Sequence, residues 1–136
     1  MAVRALARVN LAAIERNCAR LRRELSGGAA LCAVVKADGY GHGAAPSARA
    51  ALAGGATWLA VATAEEAARL RAEGVDARLL VMGALSAEEL PVALAADADL
   101  VAWHESFVAQ LAAAGRPARL HVKLDTGMGR LGTRDP

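Results

Sequence analysis

Short apolar runs alternate along this chain with longer stretches in which apolar positions recur every three or four residues. Met1 to Val9 is short, mixed and compatible with extended chain. Leu11, Ile14, Cys18, Leu21 and Leu25 then share one face of a helix, with Arg16, Arg20, Arg22, Arg23 and Glu24 mostly on the wet side. Ser26-Gly27-Gly28 stops it. Leu31 to Val35 is too short for a helix and reads as a buried strand that ends in Lys36. A loop carrying Gly39, Gly41 and Gly43 follows. A helix from about Ala44 through Leu52 comes next, ended by Gly54-Gly55.

The pattern then repeats. Trp58 to Ala62 reads as a strand, and Thr63 with Glu66 forms a capping box opening a helix to Glu73. Arg78 to Met82 is the next strand, turned by Gly83. Ser86 with Glu89 is a second capping box starting a short helix. Asp99 to Ala102 is a weaker strand, followed by a helix from about Glu105 to Ala114 that Gly115 and Pro117 close. Leu120 to Leu124 is the fifth strand, ending in Asp125-Thr126-Gly127-Met128-Gly129.

Strands and helices alternating at roughly twenty-residue intervals predict parallel βα units. Two α/β architectures fit: a doubly wound open sheet, or part of a (β/α)8 TIM-type barrel. No GxGxxG fingerprint follows the first strand, and GYGHG matches neither it nor a Walker loop. The barrel is favoured because barrel enzymes place their chemistry at the C-terminal ends of several strands. Strand alternation sets Cys32, Val34 and Lys36 on one face, and His121, Lys123 and Asp125 on one face. Lys36 and Lys123 could thus share one barrel mouth.

Composition sharpens this. At 136 residues the chain fits one modest domain, with 55% hydrophobic and 22% charged residues. A net charge of +2 without a basic run argues against nucleic-acid binding. No signal-peptide h-region or membrane-spanning run is visible, so the expected location is cytoplasmic. Cys18 and Cys32 lack a CxxC spacing and are expected as small buried hydrophobes in a reducing compartment. His104 and His121 lack ligand-type spacing, so no metal is expected.

The basic residues carry the most information. Fourteen of the sixteen are arginine; only Lys36 and Lys123 are lysine. An amine can lose its proton, form a Schiff base or be carbamylated, and a guanidinium does none of these readily. A lysine delivered by a buried strand into a glycine-rich loop must pair, deprotonate or react. We read Lys36 as reactive; the competing reading is a lysine snorkelling from a strand end.

AVVKADGYGHG, residues 33–43, resembles the cofactor-lysine motif of the alanine racemases, and HVKLDTGMGRLG, residues 121–132, resembles their second active-site signature. The spacing between them and the intervening WLAVATAEEAARLRAEG are similar as well. The resemblance runs over essentially the whole chain, but only about the first third of such an enzyme. It implies a fold-type III, pyridoxal 5′-phosphate (PLP)-dependent enzyme that interconverts L- and D-alanine, supplying D-alanine for peptidoglycan. Lys36 would hold PLP and then serve as one of two bases, one for each face of the substrate carbanion. Tyr40 would contact the cofactor phosphate. Lys123 would be carbamylated, its new anion holding Arg130, whose guanidinium would reach the cofactor's phenolic oxygen and the substrate carboxylate. Met128 would lie where backbone touches substrate, and His42 would position the loop. Asp38-Gly39 stand where the family often has asparagine-alanine. The competing reading of Lys123 is a simple pair with Asp125.

By the same resemblance, five strands are the first five βα units of an unclosed barrel. The arginine under the pyridine nitrogen, further phosphate ligands and a C-terminal β-domain would lie beyond Pro136. That β-domain would supply the opposing tyrosine across a homodimer interface. A truncated sequence is the expectation, with Asp135-Pro136 opening another helix and the 136 residues alone inactive. The alternatives are a racemase of serine or a basic amino acid, and a non-catalytic PLP-carrying barrel. The latter has no reason to keep Lys123 with Arg130.

Overall fold

The computed structural model describes residues 4–134. Five strands form one parallel sheet: β1 (Cys32–Val34), β2 (Trp58–Val61), β3 (Arg78–Val81), β4 (Asp99–Ala102) and β5 (Leu120–Val122). Their order in space is their order in sequence, each pairing with the next. A doubly wound sheet reverses direction at a switch point, and this sheet does not. Sequential parallel order is that of a barrel wall, the favoured of the two architectures that the strand spacing allows.

The helices α1 (Leu11–Glu24), α3 (Ala44–Ala53), α4 (Ala64–Ala72), α5 (Glu89–Ala95) and α6 (Glu105–Ala113) alternate with the strands. Leu59, Val61, Leu79, Val81 and Leu100 project from alternate positions of the sheet and are fully buried. Against them pack Ala45, Ala48, Ala64, Ala67, Leu70, Leu90 and Ala93 of the helices. The many alanines bring helix and sheet backbones close, so the core is one thin layer on the outer side of the wall. Each buried leucine or valine contributes roughly 1.5–3 kcal/mol. The inner face is open at β1, where Val34 is exposed; on the outer side β5 is uncovered, with Leu120 exposed and Val122 69% exposed.

That openness corrects one expectation. Cys32 points to the uncovered inner face and is exposed, and Cys18 is half-buried. A small apolar side chain is buried only if something covers its side of the sheet.

Both capping boxes form. Thr63 and Glu66 exchange their bonds at the start of α4. Ser86 N–H donates to Glu89 at 2.9 Å and Glu89 N–H donates to Ser86 Oγ at 3.3 Å, yet regular helix begins only at Glu89. Pro91 has no N–H to donate into that first turn, so the ladder starts late. Asp135-Pro136 and the first three residues of the Met1–Val9 stretch lie outside the described residues. Among the described residues, no helix is long and apolar enough to cross a membrane.

Helix α1 buries no residue completely and is held mainly against α3. The contact is tightest at Gly54. A Cβ there would run into the Glu15 carbonyl and come within 2.7 Å of Cys18 Cβ. Gly54 has an ordinary φ of −76°, so its lack of side chain serves packing alone. Gly54→Ala is expected to lower stability by about 1–3 kcal/mol, read as a reduced urea midpoint with unchanged slope.

Candidate active site

The site is assembled where β1 and β5 end. Val35 N–H still donates to Ala60 O at 2.9 Å, and the chain then leaves the sheet at Lys36. The expected glycine loop is instead a left-handed helical turn, α2 (Lys36–Tyr40). Ala37, Asp38, Gly39, Tyr40 and Gly41 have φ of 50°, 53°, 63°, 57° and 81°. Glycine accepts this conformation freely; Ala37, Asp38 and Tyr40 do not, at about 1–2 kcal/mol each.

Specific bonds hold the turn. Gly41 N–H donates to Ala37 O at 3.0 Å, and Gly43 N–H to Asp38 O at 2.9 Å. Asp38 Oδ1 accepts from Ala44 N–H at 2.9 Å, satisfying a donor in the first turn of α3. Gly39 is buried, and a Cβ there would lie 3.0 Å from Ser47 Oγ. Asp38-Gly39 is therefore a locally consistent pair. Ala37 N–H donates to Glu66 Oε1 at 2.7 Å, from the far side of β2. Strain of this kind, over-determined by its surroundings, gathers where a side chain must be aimed.

At the other edge, Lys123 N–H donates to Ala102 O, and Thr133 N–H returns to Lys123 O, both at 2.9 Å. The intervening loop folds back on the strand end. Asp125 organises it, accepting from Gly127 and Gly129 N–H at 3.1 and 3.0 Å and from Arg134 Nε at 2.9 Å. Those bonds, Gly129's first, hold the Asp125 carboxyl below its ordinary pKa. The competing expectation of a Lys123–Asp125 pair is thereby corrected: the carboxylate is engaged with its own loop. Lys123 makes no ion pair among the described residues.

A cleft of about 410 Å³ joins the two edges, lined by Lys36, Ala62, Leu80, Met82, Gly83, Val101, His121, Lys123 and Arg130. Three of the four predicted site residues, Lys36, Lys123 and Arg130, therefore share one concavity. Tyr40 does not line it; it stands 59% exposed on the strained turn. Met128 is exposed on its loop, and His42 is exposed, its N–H donating to Gly39 O.

Sequence reasoning missed the layer beneath the cleft. Asp99, fully buried at the start of β4, accepts from Arg78 Nη2 at 2.9 Å, Arg119 Nε at 2.5 Å and His121 Nε2 at 2.8 Å. Arg78 lies 3.8 Å over the Trp58 ring, and His121 meets that ring edge-on at 5.7 Å. His121 thus spans from this cluster to the cleft floor. Burial pushes the Asp99 carboxyl up, and the hydrogen bonds from Arg78, Arg119 and His121 outweigh it, leaving the pKa at about 2. The available signal was the alternation itself. Arg78 and Asp99 open their strands on the same side as Leu80 and Val101 of the cleft.

A sequential parallel wall with a lysine at one strand end, a second lysine at another and an arginine lining the same cleft is the arrangement of part of a (β/α)8 barrel, with these side chains gathered at the C-terminal ends of the strands. The chain matches the profile "Alanine racemase, N-terminal domain" over residues 9–136 and belongs to the alanine racemase family. It is 52% identical over 128 residues to the alanine racemase of Beutenbergia cavernae, covering 91% of this chain and 34% of that protein. With the Geobacillus kaustophilus alanine racemase the identity is 46%, covering 93% and 34%. The chain thus spans about a third of the length of the curated relatives it matches. Among solved structures, the Streptomyces coelicolor alanine racemase superposes with a TM-score of 0.81 at 44% identity, covering 93% of this chain and 35% of that one. The Bacillus anthracis alanine racemase with bound L-Ala-P gives 0.84 at 35% identity, covering 92% and 33%.

The depressed pKa of Asp99 fixes a sign. Its contribution to stability is present in full above the ordinary value of 3.8 and is lost as pH falls towards about 2. That contribution is on the order of 2 kcal/mol. Asp99→Asn should cost about 3 kcal/mol at pH 7. It should also remove part of the acid dependence, with Asp125 and Glu88, whose carboxyls are likewise held low, still contributing. Urea denaturation of both proteins at pH 7 and pH 3 checks this: the gap between them should narrow at the lower pH.

Proposed function

We propose that this chain forms the N-terminal, lysine-bearing part of the barrel of a PLP-dependent alanine racemase. The remaining barrel strands and a C-terminal β-domain would come from further residues. The observation that carries this reading is the meeting of Lys36, Lys123 and Arg130 in one cleft. They are the only two lysines of the chain and an arginine brought over them by the Asp125 loop.

The residues fit the cofactor by their chemistry. PLP offers an aldehyde, a phenolic oxygen and a phosphate, and the cleft offers an amine at a strand end and a cation. When bound, PLP supplies the electron sink that lets an amino acid lose its α-proton. Lys36 is assigned the aldehyde and, once free, takes or returns the proton at the substrate's Cα on its own face. Arg130 is assigned the phenolic oxygen and the substrate carboxylate. Tyr40 is assigned the phosphate, displayed by the left-handed turn. Lys123 is assigned a carbamate: the neutral amine adds to the carbon of CO₂, and the N–H proton is released to solvent. Beside Arg130 it exchanges a repelled cation for an anion that accepts guanidinium hydrogen bonds. The base for the opposite face is assigned to a tyrosine of a second subunit in a homodimer. Cytoplasmic work on free alanine completes the reading, and the L-Ala-P bound by the B. anthracis relative supports an alanine-type substrate.

The test is borohydride reduction of the full-length protein with PLP, followed by peptide mapping. The expected adduct is on Lys36, with none on Lys123, and Lys36→Ala abolishes it. The same variant should lose at least about 10²–10⁴-fold in racemisation rate, the usual scale for removing a proton-transfer group. An adduct on Lys123, or no adduct, would overturn the assignment.

A further inference from the structure

We propose that Glu66 is the positioning residue of Lys36, its carboxylate acting as a strut between the ends of β1 and β2. The capping box accounts for only one of its oxygens. Oε2 accepts from Ala62 N–H at 2.8 Å and Thr63 N–H at 3.3 Å, while Oε1 accepts from Ala37 N–H at 2.7 Å. The two strands last meet through the backbone where Val35 N–H donates to Ala60 O. Two residues later, at Ala37, the chain turns left-handed, and Ala37 N–H no longer faces a β2 carbonyl. Glu66 extends the pairing by one step with a side chain.

The consequence falls on Lys36. Its backbone is flanked by two pinned amides, Val35 N–H on Ala60 and Ala37 N–H on Glu66. Ala37 is also the first residue of the strained turn, with φ of 50°. Relaxing it to ordinary backbone would swing the Lys36 side chain away from the cleft shared with Lys123 and Arg130. The chemistry requires a carboxylate: three backbone donors converge on two oxygens, and only an ionised acid offers acceptors on both sides. Glutamine would turn one side into a donor facing a donor.

The inference rests on the reading of Lys36 as the cofactor lysine, and the experiment separates the two. In the full-length protein, Glu66→Gln is compared with Thr63→Ala, which weakens the same helix cap but leaves the bond to Ala37. Hydrogen exchange at the Ala37 amide, measured without PLP, should quicken at least tenfold in Glu66→Gln and stay unchanged in Thr63→Ala. With PLP and alanine, kcat should fall roughly 10–100-fold in Glu66→Gln with KM within about twofold, the scale of a misplaced reacting group. Thr63→Ala should lower Tm but keep kcat. Unchanged Ala37 exchange in Glu66→Gln overturns the strut. So does an equal loss of kcat in both variants at matched Tm. If wild type traps no PLP on Lys36, the cofactor reading fails, while Ala37 exchange still decides whether Glu66 holds the turn.

Discussion

The two-residue pleat of five parallel strands in strict sequence order is the constraint on which this structure depends. It sends Leu59, Val61, Leu79, Val81 and Leu100 outward into the alanine-lined helices. The same pleat sends Lys36, Leu80, Val101, His121 and Lys123 to the inner side. A slip of one residue in any strand would exchange core for site. Stability and chemistry are thus separated by the sheet itself. Apolar burial sits on one side, and nearly every informative charge sits on the other or at the strand ends.

Charge is ordered along the strands as well as across them. At their starts, one buried carboxylate, Asp99, gathers Arg78, Arg119 and His121. At their ends, Lys36, Lys123 and Arg130 meet without such a partner among the described residues. The first arrangement is self-satisfied and suits a structural floor. The second leaves cations facing a cleft, which suits binding of an anionic ligand. His121 connects the two layers, with one ring nitrogen on Asp99 and its side chain at the cleft floor.

The strands, their parallel sense and the inner placement of both lysines were legible because they follow from period and from residue scarcity. The left-handed turn was not, because glycine signals positive φ and Ala37, Asp38 and Tyr40 give no such signal. The Asp99 cluster was not, because charged residues opening apolar strands read as ordinary strand ends. Glu66 was legible as a cap and hidden as a strut: spacing of three explains a local bond, while the bond to Ala37 spans 29 residues. Burial of Cys32 was misread because composition cannot tell which face of a strand is covered. The competing Lys123–Asp125 pair was suggested because neighbours at i and i+2 share a face, and it does not form because the Asp125 loop bends its carboxylate back on itself.

The two edges of the site reach rigidity by different routes. At β5 the loop after Lys123 is relaxed, with glycines at the positive-φ positions and Asp125 collecting their N–H groups. At β1 the turn after Lys36 is strained, with Ala37, Asp38 and Tyr40 left-handed around Gly39 and an external carboxylate holding the first. A relaxed loop keeps its shape when neighbours shift. A strained one keeps its shape only while its supports stand, so its geometry is set by Glu66, Asp38 and the packing of Gly39 on Ser47. The orientation of Lys36 is therefore a property of α4 and α3 as much as of its own strand. Substitutions well outside the cleft, along the faces of those helices, should reach the lysine through that path.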